Sequence, residues 1–217
     1  MRYGAFWLIL FAGFISSNSR ADLRRDFNKI QCDKVISSLY YQICYDYKAK
    51  GAKAVFYILE GDLMDRVNIR KRPSFYAEKS LPKNLRTYTD DYKRNPYHAD
   101  RGHLAPDAAF DWSKDSLHAV YSMANIIPQY YMINRRSWLS AERYARQQAI
   151  THQSVQILNL VNYGDYGQRF PKSGIAVPYS YTKIIEVGSD KSCFLYINDE
   201  AHYKVNRHLE DHRITCP

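Results

Sequence analysis

The feature that most restricts this chain is its cysteine content. Cys32, Cys44, Cys193 and Cys216 are the four cysteines of the 217 residues. An even number in an exported chain points to disulfides, and four thiols allow three pairings. Cys32–Cys44 and Cys193–Cys216 are favoured here, because both close local loops. A competing reading is a zinc site that uses Cys193, Cys216, His208 and His212, although the C-x-x-C spacing of common zinc sites is missing.

Export itself is read from the first residues. Arg2 supplies a positive start, Ala5–Ile15 an apolar stretch too short to span a bilayer, and Ser19-Arg20-Ala21 small residues at the expected cleavage positions. The expectation is a signal peptide over 1–21, a product that is periplasmic or secreted, and one domain over 22–217 with its core at about 52–217. Losing Arg2 and Arg20 lowers the formal charge from +9 to about +7. Such a surface attracts polyanions without saying which one.

Hydrophobic residues make up 46% of the chain, so a folded core is expected rather than disorder. Residues 32–47 read as helical or irregular. Ala52–Glu60 (AKAVFYILE) is rich in β-formers and reads as a strand. A turn at Gly61-Asp62 follows, with a possible return strand over Leu63–Ile69. Residues 97–111 read as strand and loop, and Lys114–Ala124 as a helix capped by Ser113. Pro128 marks a break. Helix is expected from Asn134 to about Thr151, and strands over Val155–Val161, Lys183–Val187 and Cys193–Ile197. The fold class is α+β, with a central, mostly antiparallel sheet flanked by helices.

Two segments carry chemistry. In the helix after Pro128, Asn134, Trp138, Glu142 and Arg146 recur at four-residue spacing and so share a face. The Asn134 amide oxygen suits a hard cation, and Glu142 can hold a water of its shell. Magnesium takes oxygen ligands and keeps most of its waters. The plainer reading makes Asn134 an N-cap, Trp138 core, and Glu142–Arg146 an exposed ion pair. The second segment is Asp100-Arg101-Gly102-His103-Leu104-Ala105-Pro106. Gly102 permits a tight turn and a close approach by another group. The neutral imidazole of His103 can take a proton from water.

The DRGHLAP run, Asn125-Ile126-Ile127-Pro128-Gln129, and Asn134-Arg135-Arg136-Ser137-Trp138 with Glu142 together resemble the DNA/RNA non-specific endonucleases, one of the His-Me finger (ββα-metal) nuclease families. The likeness is read from about Ala52 to the C-terminus and is sharpest over 98–146. It implies a ββα-metal finger, with His103 as general base and Asn134 as the direct protein ligand of the catalytic magnesium. Glu142 would orient metal-bound water, and Asn125 and Gln129 would support the site. Arg146 would lie near the scissile phosphate. An upstream arginine falls within Arg70-Lys71-Arg72, with Arg72 chosen. Asp100 and Arg101 would hold the loop. The resemblance further implies hydrolysis of DNA and RNA to 5′-phosphate and 3′-hydroxyl ends, with manganese as a substitute metal. No helix-turn-helix or finger signature that would read bases is found. Most of the twenty tyrosines read as core or amphipathic surface rather than base-stacking platforms. The rival class is a non-catalytic envelope protein that binds nucleic acid, for example in DNA capture. Charge and export suit it equally well.

Overall fold

The computed structural model describes residues 22–64 and 66–217; the expected signal peptide lies outside them. Among the described residues, seven antiparallel strands form one sheet in the order β1-β2-β3-β6-β7-β8-β9. They are β1 (Lys34–Ser37), β2 (Tyr41–Asp46), β3 (Gly51–Glu60), β6 (Ser154–Asn162), β7 (Ser180–Val187), β8 (Asp190–Ile197) and β9 (Arg213–Ile214). A separate antiparallel pair, β4 (Ala99–His103) and β5 (Ile126–Tyr130), stands apart from it. The helices are α1 (Leu23–Asn28), α2 (Lys114–Val120), α3 (Leu139–His152) and α4 (Glu200–Val205). No helix among the described residues is long and apolar enough to cross a membrane.

The unbroken apolar run of β3 has a physical cause: both faces of the central sheet are covered. Val55, Tyr57 and Leu59 join the larger core, which includes Trp138, Ala141, Ala145 and Ala149 of the α3 region. Ala54 and Phe56 point the other way, into a smaller core with Leu23 and Phe27 of α1. Cys44 and Cys193 are buried in that smaller core, with Cys32 and Cys216 packed against it. The disulfides are Cys32–Cys44 and Cys193–Cys216, the pairing expected from local loop closure. Each restricts the unfolded chain, by on the order of 3 kcal/mol for loops of this size. With both thiols of the zinc reading joined to each other, Cys193 and Cys216 have no thiolate to give a metal, and that reading falls.

Several expectations need correcting. Residues 32–47 are two paired strands, β1 and β2, instead of helix. Ile36, Tyr41 and Ile43 are buried against the main core, and β-branched and aromatic residues favour that pleated surface. The core therefore starts upstream of residue 52. No return strand forms among the described residues of 63–69. Pro128 sits inside β5, opposite Arg101. A two-stranded ribbon has a free edge on each strand, so a residue without an N–H is tolerated there. Helix α2 ends at Val120, short of Ala124, but Ser113 does cap it, accepting from the Ser116 amide.

Candidate active site

β4 and β5 are followed directly by the helix that leads into α3, giving two antiparallel strands and a helix as one unit. The helix begins at Tyr131 and its first turns, Ile133–Trp138, are π-wound. Asn134 thus lies inside the first turn and is not an N-cap. Such π turns are often found at functional sites.

Asp100 of β4 ties the strand to this turn. Its carboxylate accepts from Asn134 Nδ2 at 3.0 Å and from both Nε (2.7 Å) and a terminal nitrogen (2.8 Å) of Arg135. A carboxylate at neutral pH only accepts, so the amide nitrogen of Asn134 must face Asp100. The amide oxygen is turned away, and no hydrogen bond among the described residues engages it. One turn later, Trp138 Nε1 donates to the backbone carbonyl of His103 at 3.2 Å. The same helix therefore grips β4 near both ends, at residues 100 and 103.

His103 is the last residue of β4. Across the ribbon, Gly102 lies under the side chain of Gln129: a Cβ built on residue 102 would come within 2.0 Å of Gln129 Oε1. Only glycine fits, because any other side chain would displace Gln129. After His103 the chain is held by Asn125. Its Oδ1 accepts from the Ala105 amide, its Nδ2 donates to the carbonyls of Ala105 and Val120, and its own carbonyl accepts from the Leu104 amide.

The imidazole of His103 packs against Phe75 and Tyr121, with ring centroids 5.4 and 5.1 Å away. Its Nε2 is buried and unpartnered. Burial pushes its pKa down to about 4, the Arg72 and Arg101 cations push the same way, and Asp107 opposes them. The ring is neutral at pH 7, the form a general base requires. Glu142 is also buried, 8% exposed. Burial raises its pKa, while Lys183 and Arg146 hold it down. No ion pair joins Glu142 to Arg146 among the described residues, and one terminal nitrogen of Arg146 is buried without a partner. The exposed ion pair of the plainer reading does not form.

Arg72 is near His103 but committed elsewhere. It donates to the Ile69 carbonyl, to Asp107 (3.0 Å) and to Asp111 (3.1 Å). Arg70 and Lys71 are exposed. Arg101 lies over the ring of Phe75, 5.0 Å from its centroid.

Sequence reasoning missed Asp107, Tyr121 and Phe75 around the imidazole, and Asn159 and Lys183 behind it. Asn159 had a signal: it is a lone polar residue between Leu158 and Leu160 in a strand, where an inward amide must have partners. Among the described residues no group of three or more His, Cys, Asp or Glu could hold a metal ion. Among the site's oxygen groups, the carboxylates of Asp100 and Asp107 are engaged by Asn134, Arg135, Arg72 and Tyr121, whereas the Asn134 amide oxygen and the buried Glu142 carboxylate have no hydrogen-bond donor among the described residues.

The family model of the DNA/RNA non-specific endonucleases matches residues 20–211. The chain belongs to that family. The match begins well upstream of residue 52, in keeping with the contribution of α1, β1 and β2 to the fold. Mitochondrial endonuclease G of Bos taurus is 27% identical over 156 residues, covering 67% of this chain and 51% of that protein. The Homo sapiens counterpart is 26% identical, covering 67% and 52%. A nuclease of a Nostoc strain is 31% identical over 121 residues, covering 55% and 43%. The chain thus spans about half the length of the curated relatives it matches. A chain of a solved EndoG/EndoGI complex superposes with a TM-score of 0.74 at 20% identity, over 85% of this chain and 81% of the other. That likeness shows a shared α+β fold.

Proposed function

We propose that this protein is an exported, magnesium-dependent endonuclease that hydrolyses DNA and RNA with little regard for sequence, leaving 5′-phosphate and 3′-hydroxyl ends. The observation that carries the reading is the double grip of the helix on β4. It sets a neutral imidazole and an amide oxygen turned away from its anchor on the same strand–strand–helix unit, which supports reading that unit as a ββα-metal finger.

Asn134 Oδ1 would hold the divalent ion directly and Glu142 would hold it through water. The donor set fits magnesium, which needs few protein ligands when it keeps its waters; manganese accepts the same oxygens. When bound, such an ion supplies Lewis-acid relief of charge on the phosphate and the leaving oxygen. The remaining work falls to the chain. His103 takes the proton of the attacking water, and its carbonyl and the following peptide are fixed so that the ring does not wander. The buried, unpartnered guanidinium nitrogen of Arg146 stabilises phosphate charge that grows in the transition state. Arg72 acts at one remove, fixing Asp107, which also accepts from the Tyr121 hydroxyl against the His103 ring. Asp100 and Arg101, with Gly102, Asn125 and Gln129, shape the loop.

Arg136 and Arg143 are exposed on the same helix and suit phosphate contacts, which carry no base identity. With water as nucleophile the 2′-hydroxyl is not needed, so both nucleic acids are substrates. Two disulfides support export to the periplasm or medium. Plasmid nicking with magnesium and then with EDTA tests the reading. Nicking that EDTA abolishes is expected. Binding without nicking in magnesium or manganese would instead favour the DNA-capture class.

A further inference from the structure

Lys183 of β7 is 0% exposed, and no carboxylate lies within ion-pair distance of it among the described residues. Its ammonium donates to Asn159 Oδ1 at 2.9 Å and to the Tyr57 hydroxyl at 3.3 Å, and it stands 4.1 Å from the ring centroid of Trp138. All three neighbours reach one short stretch of backbone. Asn159 Nδ2 donates to the Leu104 carbonyl at 2.8 Å, and the Tyr57 hydroxyl to the same oxygen at 3.4 Å. Trp138 donates to the carbonyl of His103.

The direction of these bonds matters. Burial lowers the Lys183 pKa to about 7, with the Glu142 charge opposing, and Lys183 donates to both neighbours whether it is an ammonium or an amine. Facing it, Asn159 must present its oxygen, which turns the amide nitrogen to Leu104. Facing it, Tyr57 must accept, which turns the hydroxyl hydrogen to Leu104. The Leu104 carbonyl only accepts, so Asn159 and Tyr57 donate to it in any case; an apolar side chain in place of Lys183 would remove the anchor on Asn159 Oδ1 and on the Tyr57 oxygen. Burying this ammonium is costly, and the Glu142 charge opposes that cost from beyond ion-pair distance.

We propose that Lys183 is a positioning residue for the reaction: it anchors Asn159 and Tyr57, the two side chains that hold the Leu104 carbonyl, and so fixes the His103–Leu104 backbone and the place of the imidazole. This rests on the nuclease reading above. Lys183 touches neither substrate nor metal in this role.

The test compares Lys183→Met, Asn159→Leu, Tyr57→Phe and the Lys183→Met/Asn159→Leu double variant on plasmid DNA with magnesium. Lys183→Met should lower kcat by about 10- to 100-fold, the range typical of residues that orient a site from behind, and leave KM near wild type. The double variant should be no slower than the slower single one, because both act through one chain of bonds. Wild-type kcat in Lys183→Met, or losses that multiply in the double variant, would overturn the proposal. Should Lys183→Met not fold, Tyr57→Phe and Asn159→Leu decide: lowered kcat at constant KM supports it, and unchanged kcat sinks it. A wild-type protein that cuts nothing sinks the nuclease reading itself. A wild type that cuts, with Lys183→Met equal to it, sinks the positioning role alone.

Discussion

Two histidines in this molecule look alike one by one. His103 and His212 are each held neutral with a pKa near 4, chiefly by burial. Each has a buried Nε2 without a partner, and each packs on aromatic rings, His212 stacking on Tyr196 at 4.0 Å. Their surroundings differ. His212 Nδ1 meets the Leu195 carbonyl and His202 Nε2, next to a disulfide-bound tail. His103 follows a glycine overlaid by Gln129, whose two amide atoms are also buried and unpartnered, on the strand that fixes Asn134. A buried neutral histidine is therefore no sign of catalysis by itself. What marks a site is a cluster of unsatisfied polar groups on one rigid unit, since such groups cost stability unless something else uses them.

The sharpest way to break this contrast is to delete each ring. His103→Ala should lower plasmid nicking by about a thousandfold, within the range for loss of a general base, and keep DNA binding. His212→Phe should nick like wild type. Equal turnover in both variants would erase the distinction. Next in size, Asn134→Ala should raise the magnesium midpoint for nicking by about 10- to 100-fold or more, and an unchanged titration would remove it as a ligand. Asp100→Asn should shift the same midpoint less, by about tenfold, because the Asn134 amide loses the acceptor that sets its direction.

The smallest effect concerns stability. The folded-state pKa of His212 is depressed to about 4 from an ordinary 6.5. Between these values the unfolded chain binds a proton that the folded chain refuses. Its contribution is fully present above pH 6.5 and is lost as pH falls toward 4. Wild-type Tm should drop by a few degrees more across that window than the Tm of His212→Phe. Parallel curves would show that His212 titrates normally.

Much of the molecule was legible in residue order. Local rules covered β3, β6, β7, β8, the helix from residue 134, the Ser113 cap and the two disulfides, because apolar pattern, capping chemistry and loop closure act over short separations. Local signals failed where partners are distant. β1 and β2 were read as helical or irregular, since pairing with β3 and packing against the larger core decide their state. Pro128 was read as a break, although a two-stranded ribbon accepts it.

The site divides in the same way. Residue type and spacing were enough to single out His103, Asn134 and Glu142 and to join them to a family. Only the folded chain decided that the amide nitrogen of Asn134 faces Asp100, that Glu142 is buried and unpaired, that Arg72 is spent on Asp107 and Asp111, and that Lys183 stands behind the histidine backbone. The reason is physical: a side chain's chemistry is fixed by its covalent structure, but its direction, protonation and free hydrogen-bonding capacity are set by neighbours tens of residues away along the chain.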